Sequence, residues 1–123
     1  MQGTGAAQEV PELAARAFPG RRLFIIDKPD ATQSQIRIGN VTVGRSTPEL
    51  FPLTVINTLL GGGFTSRLME EIRVNRGLSY GARSDLSFLK RGGYFSVGTF
   101  TDNKTLRETI DGAVVQTEVQ HRI

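Results

Sequence analysis

The segment GGGFTSRLMEEIRVNRGLSY, residues 61–80, contains the pattern from which the fold of this chain follows. Its three glycines end one helical pattern, and Thr65 or Ser66 is predicted to cap a second helix because a hydroxyl accepts free backbone N–H groups. Gly77 stands where a left-handed residue is expected to end that helix. The apolar residues that recur at helical spacing and predict its buried face are Leu68, Met69 and Ile72.

Upstream of the glycines, the chain shows two strand patterns and one helix pattern. The apolar run LFII at residues 23–26, followed by the turn sequence DKPD, predicts a first strand. QIRIGNVTV at residues 35–43 alternates apolar and polar residues and predicts a second strand, with a bulge at Gly39. Thr47 is predicted to cap a helix that begins at Pro48. Its predicted inward stripe consists of Leu53, Ile56, Leu59 and Leu60.

Downstream of Gly77, the hydrophobic pattern changes from helical spacing to strict alternation. Residues 80–88 predict a strand, and KRGG at residues 90–93 predicts a tight turn into a returning strand over residues 94–101. Asp102 or Asn103 is predicted to cap a last helix. The predicted inner face of that helix consists of Leu106, Ile110, Ala113, Val114 and Thr117.

These patterns predict the element order ββααββα in a two-layer α+β domain, with a mostly antiparallel sheet and helices on one of its faces. A chain of 123 residues suits one compact domain rather than two. Residues 1–20 are interpreted as a leader or interdomain linker because their first part is small and flexible. Residues 21–123 are interpreted as the domain itself.

The charged residues do not indicate nucleic-acid binding. The formal net charge is +3, but 15 Lys and Arg are set against 12 Asp and Glu, and the basic residues are scattered along the chain. The apolar runs are far shorter than the roughly 20 residues that span a bilayer, so no membrane segment is predicted. The compartment stays undetermined, with the bacterial cytoplasm or periplasm favoured.

A metal centre is not predicted in this chain, and no cofactor is expected to bind it. His121 is the only histidine, so a second imidazole ligand for zinc is absent. The chain has no cysteine, which excludes a thiolate zinc site and a disulfide framework. Glu70 and Glu71 occupy adjacent helical positions that do not face each other, so they do not predict a two-carboxylate site.

The glycine-rich turn Gly61, Gly62 and Gly63 is the first candidate site. A glycine-rich loop before a helix presents backbone N–H groups and a positive dipole end, which suit a phosphate. This turn follows a helix pattern rather than a strand, however, and lacks the lysine of a phosphate-binding loop. A tight helix–helix connection is the simpler interpretation, and phosphate binding is the alternative.

Arg73 and Tyr80 form the second candidate site. Arg73 lies near the C-terminal end of its predicted helix, where a cation is stabilised by the helix dipole. Gly77 then reverses the chain, so the guanidinium and the phenol are predicted to lie close together. Two donors that converge on one point suit a peptide carbonyl or a developing oxyanion. The alternative is a surface arginine and a core tyrosine without a binding role.

In the context of its neighbours, this segment resembles the pitrilysin-like zinc protease family, also described as insulinase-like or mitochondrial-processing-peptidase-like. The resemblance is to the half of those proteins that does not hold zinc, and it covers about residues 22–120. IIDKPDATQSQIRIG at residues 25–39 is similar to the start of that half. The matching motif consists of Gly61-Gly62-Gly63, Ser66-Arg67-Leu68, Arg73 and Gly77-Leu78-Ser79-Tyr80.

The resemblance implies a processing-peptidase-like fold in which paired α+β domains close around an unfolded peptide. One domain carries zinc on a His-x-x-Glu-His motif, and the other supplies an Arg and a Tyr that contact the peptide beside the scissile bond. These two roles map onto Arg73 and Tyr80, as residues that orient the peptide and stabilise the tetrahedral intermediate. The implied partners are a zinc-binding domain or subunit and a peptide substrate, with zinc held by the partner.

The chain also departs from the family pattern. It has no His-x-x-Glu-His, and Val74-Asn75 stands where an acidic residue followed by a basic one is common. A family domain is usually longer, so the domain is expected to be incomplete at its C-terminus, to expose an apolar face and to self-associate. Two alternative functions remain: a non-proteolytic structural subunit, like the core proteins of respiratory complexes, and a phosphate-binding module.

Overall fold

The structure, a computed structural model, describes Gly5 and residues 20–121, with side chains up to residue 117. Of the interpreted leader, residues 1–20, all but Gly5 and Gly20 lie outside the described residues. In chain order the elements are β1 (Gln33–Thr42), α1 (Leu50–Gly61), α2 (Arg67–Met69), a π-helix (Glu70–Asn75), β2 (Ala82–Leu89), β3 (Gly92–Asp102), a 3₁₀ turn (Asn103–Thr105) and α3 (Leu106–His121). No helix of the described part is long and apolar enough to cross a bilayer.

The three strands form one antiparallel sheet in the order β1-β3-β2. The central strand β3 pairs with both neighbours, so Thr99 lies opposite Ile36 on one side and Ala82 on the other. Leu89 pairs with Gly92, which leaves a two-residue hairpin turn between β2 and β3. The predicted α+β class and its antiparallel sheet are therefore confirmed.

The helices pack on one face of this sheet and bury a small core. Its central residues are Leu60, Leu68, Ile72, Ala82, Val97 and Ala113. Leu68, Met69 and Ile72, which helical spacing predicted as a buried face, are all buried. On α3 the buried positions are Thr109, Gly112 and Ala113, while the predicted inner residues Leu106, Ile110, Val114 and Thr117 are half-buried.

The prediction of a first strand at residues 23–26 is wrong. The structure gives this segment no strand pairing, and its four side chains are 80–91 % exposed. An apolar run indicates that a segment tends to be buried, but a strand also needs a neighbouring backbone to pair with. In the structure, residues 23–26 pair with none of the three strands, so the observed order begins with one strand instead of two.

The bulge predicted at Gly39 is also wrong, because β1 pairs with β3 residue by residue along its whole length. A different physical reason explains why position 39 is a glycine. A Cβ atom at Gly39 would collide with the carbonyl oxygen of Phe95 and lie 3.2 Å from the Cα of Ser96. Gly39 therefore permits a close cross-strand approach rather than an extra residue.

Helix α1 differs from its prediction at both its start and its buried face. It begins at Leu50 with Glu49 as the capping residue, while the Thr47 hydroxyl accepts from the Glu49 N–H in the preceding turn, at 3.3 Å. Pro52 lies within the first turn, where backbone N–H groups have no partner inside the helix, so it does not interrupt α1. Of the predicted stripe, Leu60 is buried, Leu53 is half-buried, and Ile56 and Leu59 are exposed.

Several large hydrophobic side chains are exposed on α1 and in the segment before β1. Phe51 and Leu59 are 77 % and 59 % exposed, and Val55 and Ile56 lie exposed on the same helix. Contiguous apolar surface of this kind favours association in water. Self-association of the chain therefore stays a prediction, and the exposed apolar side chains of α1 are the surface through which we expect it.

We expect the substitutions Phe51→Glu and Leu59→Lys together to weaken self-association by about tenfold or more, because two apolar side chains lose their burial. Sedimentation velocity over a range of protein concentrations measures the effect. Thr58→Lys, at an exposed polar position of the same helix, is the matched control. A monodisperse monomer for the unsubstituted protein, without binding of hydrophobic dyes, would contradict the prediction.

Candidate functional site

The three glycines form the connection between α1 and α2, and each meets different surroundings. A Cβ atom at Gly61 would collide with the backbone N of Ser84 and lie 2.8 Å from its Cβ. At Gly62 it would lie 2.7 Å from the Cα of Thr58, whereas Gly63 faces open space. None of the three has a positive φ, so close packing rather than left-handed geometry accounts for the first two. This arrangement agrees with a tight helix–helix connection.

The helix that carries Arg73 begins as the short α2 and continues as the π-helix Glu70–Asn75. The sequence predicted a regular α-helix here, and the structure corrects this, since the Arg76 N–H donates to the Glu71 carbonyl at 3.2 Å, five residues back. Gly77 ends the helix at φ 60°, as predicted. Ser66 is the capping residue by position, but its hydroxyl makes no capping hydrogen bond.

The far end of the π-helix is held by polar side chains on its surface. Arg76 Nε donates to a carboxylate oxygen of Glu71, and Asn75 Nδ2 donates to the other at 3.3 Å. Both bonds lower the pKa of Glu71, and the bond from Arg76 has the larger effect. Because the folded pKa is depressed, the stabilisation is present above the unfolded pKa and is lost as pH falls through the folded value. The unusual Val74-Asn75 pair lies exposed on this surface.

Arg73 and Tyr80 lie together, and Phe64 joins them. The guanidinium carbon of Arg73 is 4.6 Å from the ring centroid of Tyr80 and 5.7 Å from that of Phe64. Such cation–π contacts are each worth about 0.5–1 kcal/mol where the rings are exposed. Phe64 is 79 % exposed and Tyr80 is 75 % exposed. The alternative of a core tyrosine is therefore wrong for Tyr80.

The short segment that carries Tyr80 is fixed on both sides by hydroxyl groups of β3. Thr101 Oγ1 donates to the carbonyl of Leu78 at 2.6 Å, and Thr99 Oγ1 donates to the carbonyl of Gly81 at 2.9 Å. Both threonines are almost fully buried. Tyr80 thus projects into solvent from a backbone that is anchored at each end.

A cavity with a volume of about 850 Å³ lies beside this cluster. Gly61, Gly62 and Gly63 line it together with Phe64 and Tyr80, and it continues around the edge of β2. The glycines of the first predicted site and Tyr80 of the second therefore line one cavity, and Arg73 contacts it through the rings of Tyr80 and Phe64. The Arg73 guanidinium makes no hydrogen bond or ion pair with any residue of the described part, so its N–H groups remain available.

Sequence reasoning missed Phe64 and the two anchoring threonines. Phe64 directly follows the glycines, and an aromatic residue next to a turn carries no specific signal of its own. Thr99 and Thr101 alternate with apolar neighbours on β3 and sit at inward positions. A polar residue at a predicted core position is the signal that was available for them, because it must find a hydrogen-bond partner.

The structure also locates the residues considered for metal binding. Within the described residues, no group of three or more His, Cys, Asp or Glu is placed to hold a metal ion. His121 lies at the end of α3, where side chains are not described. Glu71 is engaged by Arg76 and Asn75. The described part of this chain therefore does not fit a zinc centre.

An antiparallel sheet with helices on one face defines this protein as a two-layer α+β domain, with a cavity at the edge of the sheet. Residues 4–116 match the family model described as the peptidase M16 inactive domain. The chain belongs to that family. The pitrilysin-like resemblance of residues 61–80 is thereby confirmed.

Similar proteins support the same assignment. An uncharacterized zinc protease of Mycobacterium leprae is 37 % identical over 93 residues, covering 76 % of this chain and 21 % of the relative. An uncharacterized zinc protease of Mycobacterium bovis is 40 % identical over 76 residues, covering 62 % of this chain and 17 % of the relative. The chain thus spans about a fifth of the length of the curated relatives that it matches.

Solved structures show the same fold. A crystal structure of the peptidase M16 inactive domain from Pseudomonas fluorescens matches with a TM-score of 0.70 and 27 % identity, over 72 % of this chain and 22 % of that chain. A protease from Helicobacter pylori matches with a TM-score of 0.59 at 18 % identity, over 68 % of this chain and 21 % of that chain. At that identity the second match shows the fold alone.

We expect Thr101→Val to lower the free energy of unfolding by about 1–3 kcal/mol, because it removes the hydroxyl that donates to the Leu78 carbonyl and accepts from the buried Thr109 hydroxyl. Thr101→Ser, which keeps the hydroxyl, will lose less. Thr58→Val, whose hydroxyl bonds within its own helix at an exposed position, will stay within about 0.5 kcal/mol of the unsubstituted protein. Urea denaturation measures all three, and equal losses for Thr101→Val and Thr58→Val would contradict the anchoring role.

Proposed function

We propose that this chain is the substrate-binding, non-zinc domain of a pitrilysin-like metallopeptidase. In this proposal Arg73 and Tyr80 contact the peptide substrate, and a partner domain or subunit supplies the zinc site. Membership in the peptidase M16 inactive domain family and similarity to zinc proteases support the division into two domains. The proposed roles of the two side chains rest on their geometry.

The observation that carries the proposal is the stacked pair itself, in which a half-buried Arg73 lies over the exposed ring of Tyr80. A guanidinium held over an aromatic ring gives up freedom of motion before any ligand arrives, which lowers the cost of binding. Its N–H groups have no partner among the described residues, so they are free to donate to a peptide carbonyl. A π-helix at Arg73 is a further support, because such segments often occur at functional sites.

The chemistry proposed for this chain is binding, orientation and charge stabilisation. Arg73 and the Tyr80 hydroxyl donate to the substrate carbonyl, and their bonds strengthen as negative charge develops on its oxygen. The exposed ring of Phe64 offers an apolar wall on the other side of the guanidinium. The zinc ion, held by the partner domain, supplies Lewis acidity and an activated water.

A non-proteolytic structural subunit of the same fold remains the alternative. Such a subunit needs the packed core but has no need of a half-buried arginine stacked on an exposed tyrosine beside a cavity. The pair therefore favours the peptidase. Absence of both bound zinc and peptide cleavage, in the full-length protein together with its partner, would favour the structural role.

We expect Arg73→Ala and Tyr80→Phe each to lower kcat/KM for peptide cleavage by about 10²–10³-fold in the full-length peptidase, since each removes one donor to the developing oxyanion. Zinc content, measured by atomic emission on the same samples, will not change. Tyr80→Phe keeps the ring over Arg73, so it isolates the hydroxyl.

The matched control for charge is Arg107→Ala, at an exposed position on α3. This variant will cleave peptides at the unsubstituted rate. Unchanged cleavage in both Arg73→Ala and Tyr80→Phe would refute the proposed roles.

A further inference from the structure

The face of the sheet opposite the helices is open and carries a pair of arginines. Cross-strand partners share a face in an antiparallel sheet, so Arg37 of β1, Gly98 of β3 and Arg83 of β2 form one row across it. Arg37 and Arg83 are both exposed. Both line the cavity that also contains Tyr80.

Arg37 is held over the centre of the row. Its Nη1 donates to the carbonyl of Ile36 at 2.9 Å and lies 3.5 Å from the carbonyl oxygen of Thr99. A Cβ atom at Gly98 would lie 3.2 Å from that same Nη1. The missing side chain at Gly98 therefore gives the guanidinium its place on the sheet.

Arg83 approaches the same place from the opposite strand. It makes no hydrogen bond or ion pair with any of the described residues, although Asp85 lies two positions along the same face. Adjacent strands are separated by about 4.8 Å, so the Cα atoms of Arg37 and Arg83 lie about 10 Å apart. An arginine side chain is long enough for both guanidinium groups to reach a ligand above Gly98.

We infer that Arg37 and Arg83 bind a carboxylate of the peptide, from an Asp or Glu side chain, on the open face of the sheet. A carboxylate matches the planar donors of arginine. The local charge suits a single anion rather than a polyanion, because Asp85 offsets one of the two arginines and no basic track extends from them.

The position of this site fixes where the acidic residue lies in the peptide, a deduction that rests on the proposed function of Arg73 and Tyr80. Arg83 is three residues from Tyr80 in the chain, so their Cα atoms lie at most about 10 Å apart. An extended peptide covers that distance with about three residues. The preferred peptide therefore carries Asp or Glu about three residues from the residue that contacts Tyr80.

The test uses fluorescein-labelled ten-residue peptides of Ser, Ala and Leu with one Asp, moved along the sequence, and the same peptides with Asn. Binding to the full-length protein is measured by fluorescence anisotropy, with zinc removed by a chelator so that no cleavage occurs. We expect about tenfold tighter binding of the best Asp peptide than of its Asn counterpart. The preference will shrink as salt is raised, because the ligand charge is exposed to solvent.

Arg83→Gln will abolish most of this preference, and circular dichroism will show an unchanged fold because Arg83 makes no hydrogen bond or ion pair with the described residues. Arg37→Gln will act in the same direction, and Arg107→Gln, an equal charge change elsewhere, will keep the preference. Arg73→Ala is expected to weaken Asp and Asn peptides equally, which separates the two sites.

Equal binding of Asp and Asn peptides by the unsubstituted protein, or a preference that survives Arg83→Gln, overturns the carboxylate site and leaves the proposed function standing. A charge preference that persists while Arg73→Ala has no effect on any peptide supports the carboxylate site and overturns the role of Arg73. Absence of binding by every peptide overturns both.

Discussion

Where α1 ends, the backbone of Gly61 lies against Ser84 of β2 with no room for a side chain. Asn57 extends this contact, because its amide donates to the Ser84 carbonyl at 3.4 Å and its backbone carbonyl accepts from the Ser84 hydroxyl at 3.2 Å. The end of α1 thus lies against β2, an edge strand of the sheet, and gives the Ser84 carbonyl a donor. The same contact sets the course of the glycine turn, and so the place of Phe64.

A second set of constraints meets the first at Tyr80. The Leu78 N–H donates to the carbonyl of Ile72 at 2.9 Å, which ties the start of the segment to the end of the π-helix. Thr101 and Thr99 then hold the carbonyls on either side of the tyrosine. The arginine lies on a helix, the phenylalanine in a turn and the tyrosine just before a strand. The hydrophobic core holds these three segments in place. An exposed site is therefore held by buried polar contacts.

Much of this was predictable from the sequence. Helical spacing identified Leu68, Met69 and Ile72 correctly because burial of an amphipathic face depends on local periodicity. The segment 23–26 was misassigned because pairing depends on a distant strand that local sequence does not reveal. The proximity of Arg73 and Tyr80 was predictable from the turn at Gly77, but the ring of Phe64 beside them was not, since it depends on how Gly61 packs against β2.

The π-helix also makes the length of its segment important. Its hydrogen bonds join residues five apart, so each hydrogen-bonded loop contains one residue more than in an α-helix. Ile72 still reaches the core, but Arg73 leaves the helix in a different direction from the one that an α-helix would give it. Loss of a single residue here would convert the helix type without breaking the helix, and would turn the guanidinium away from Tyr80. The number of residues between Met69 and Gly77 is therefore as much a determinant of the site as the identity of the arginine.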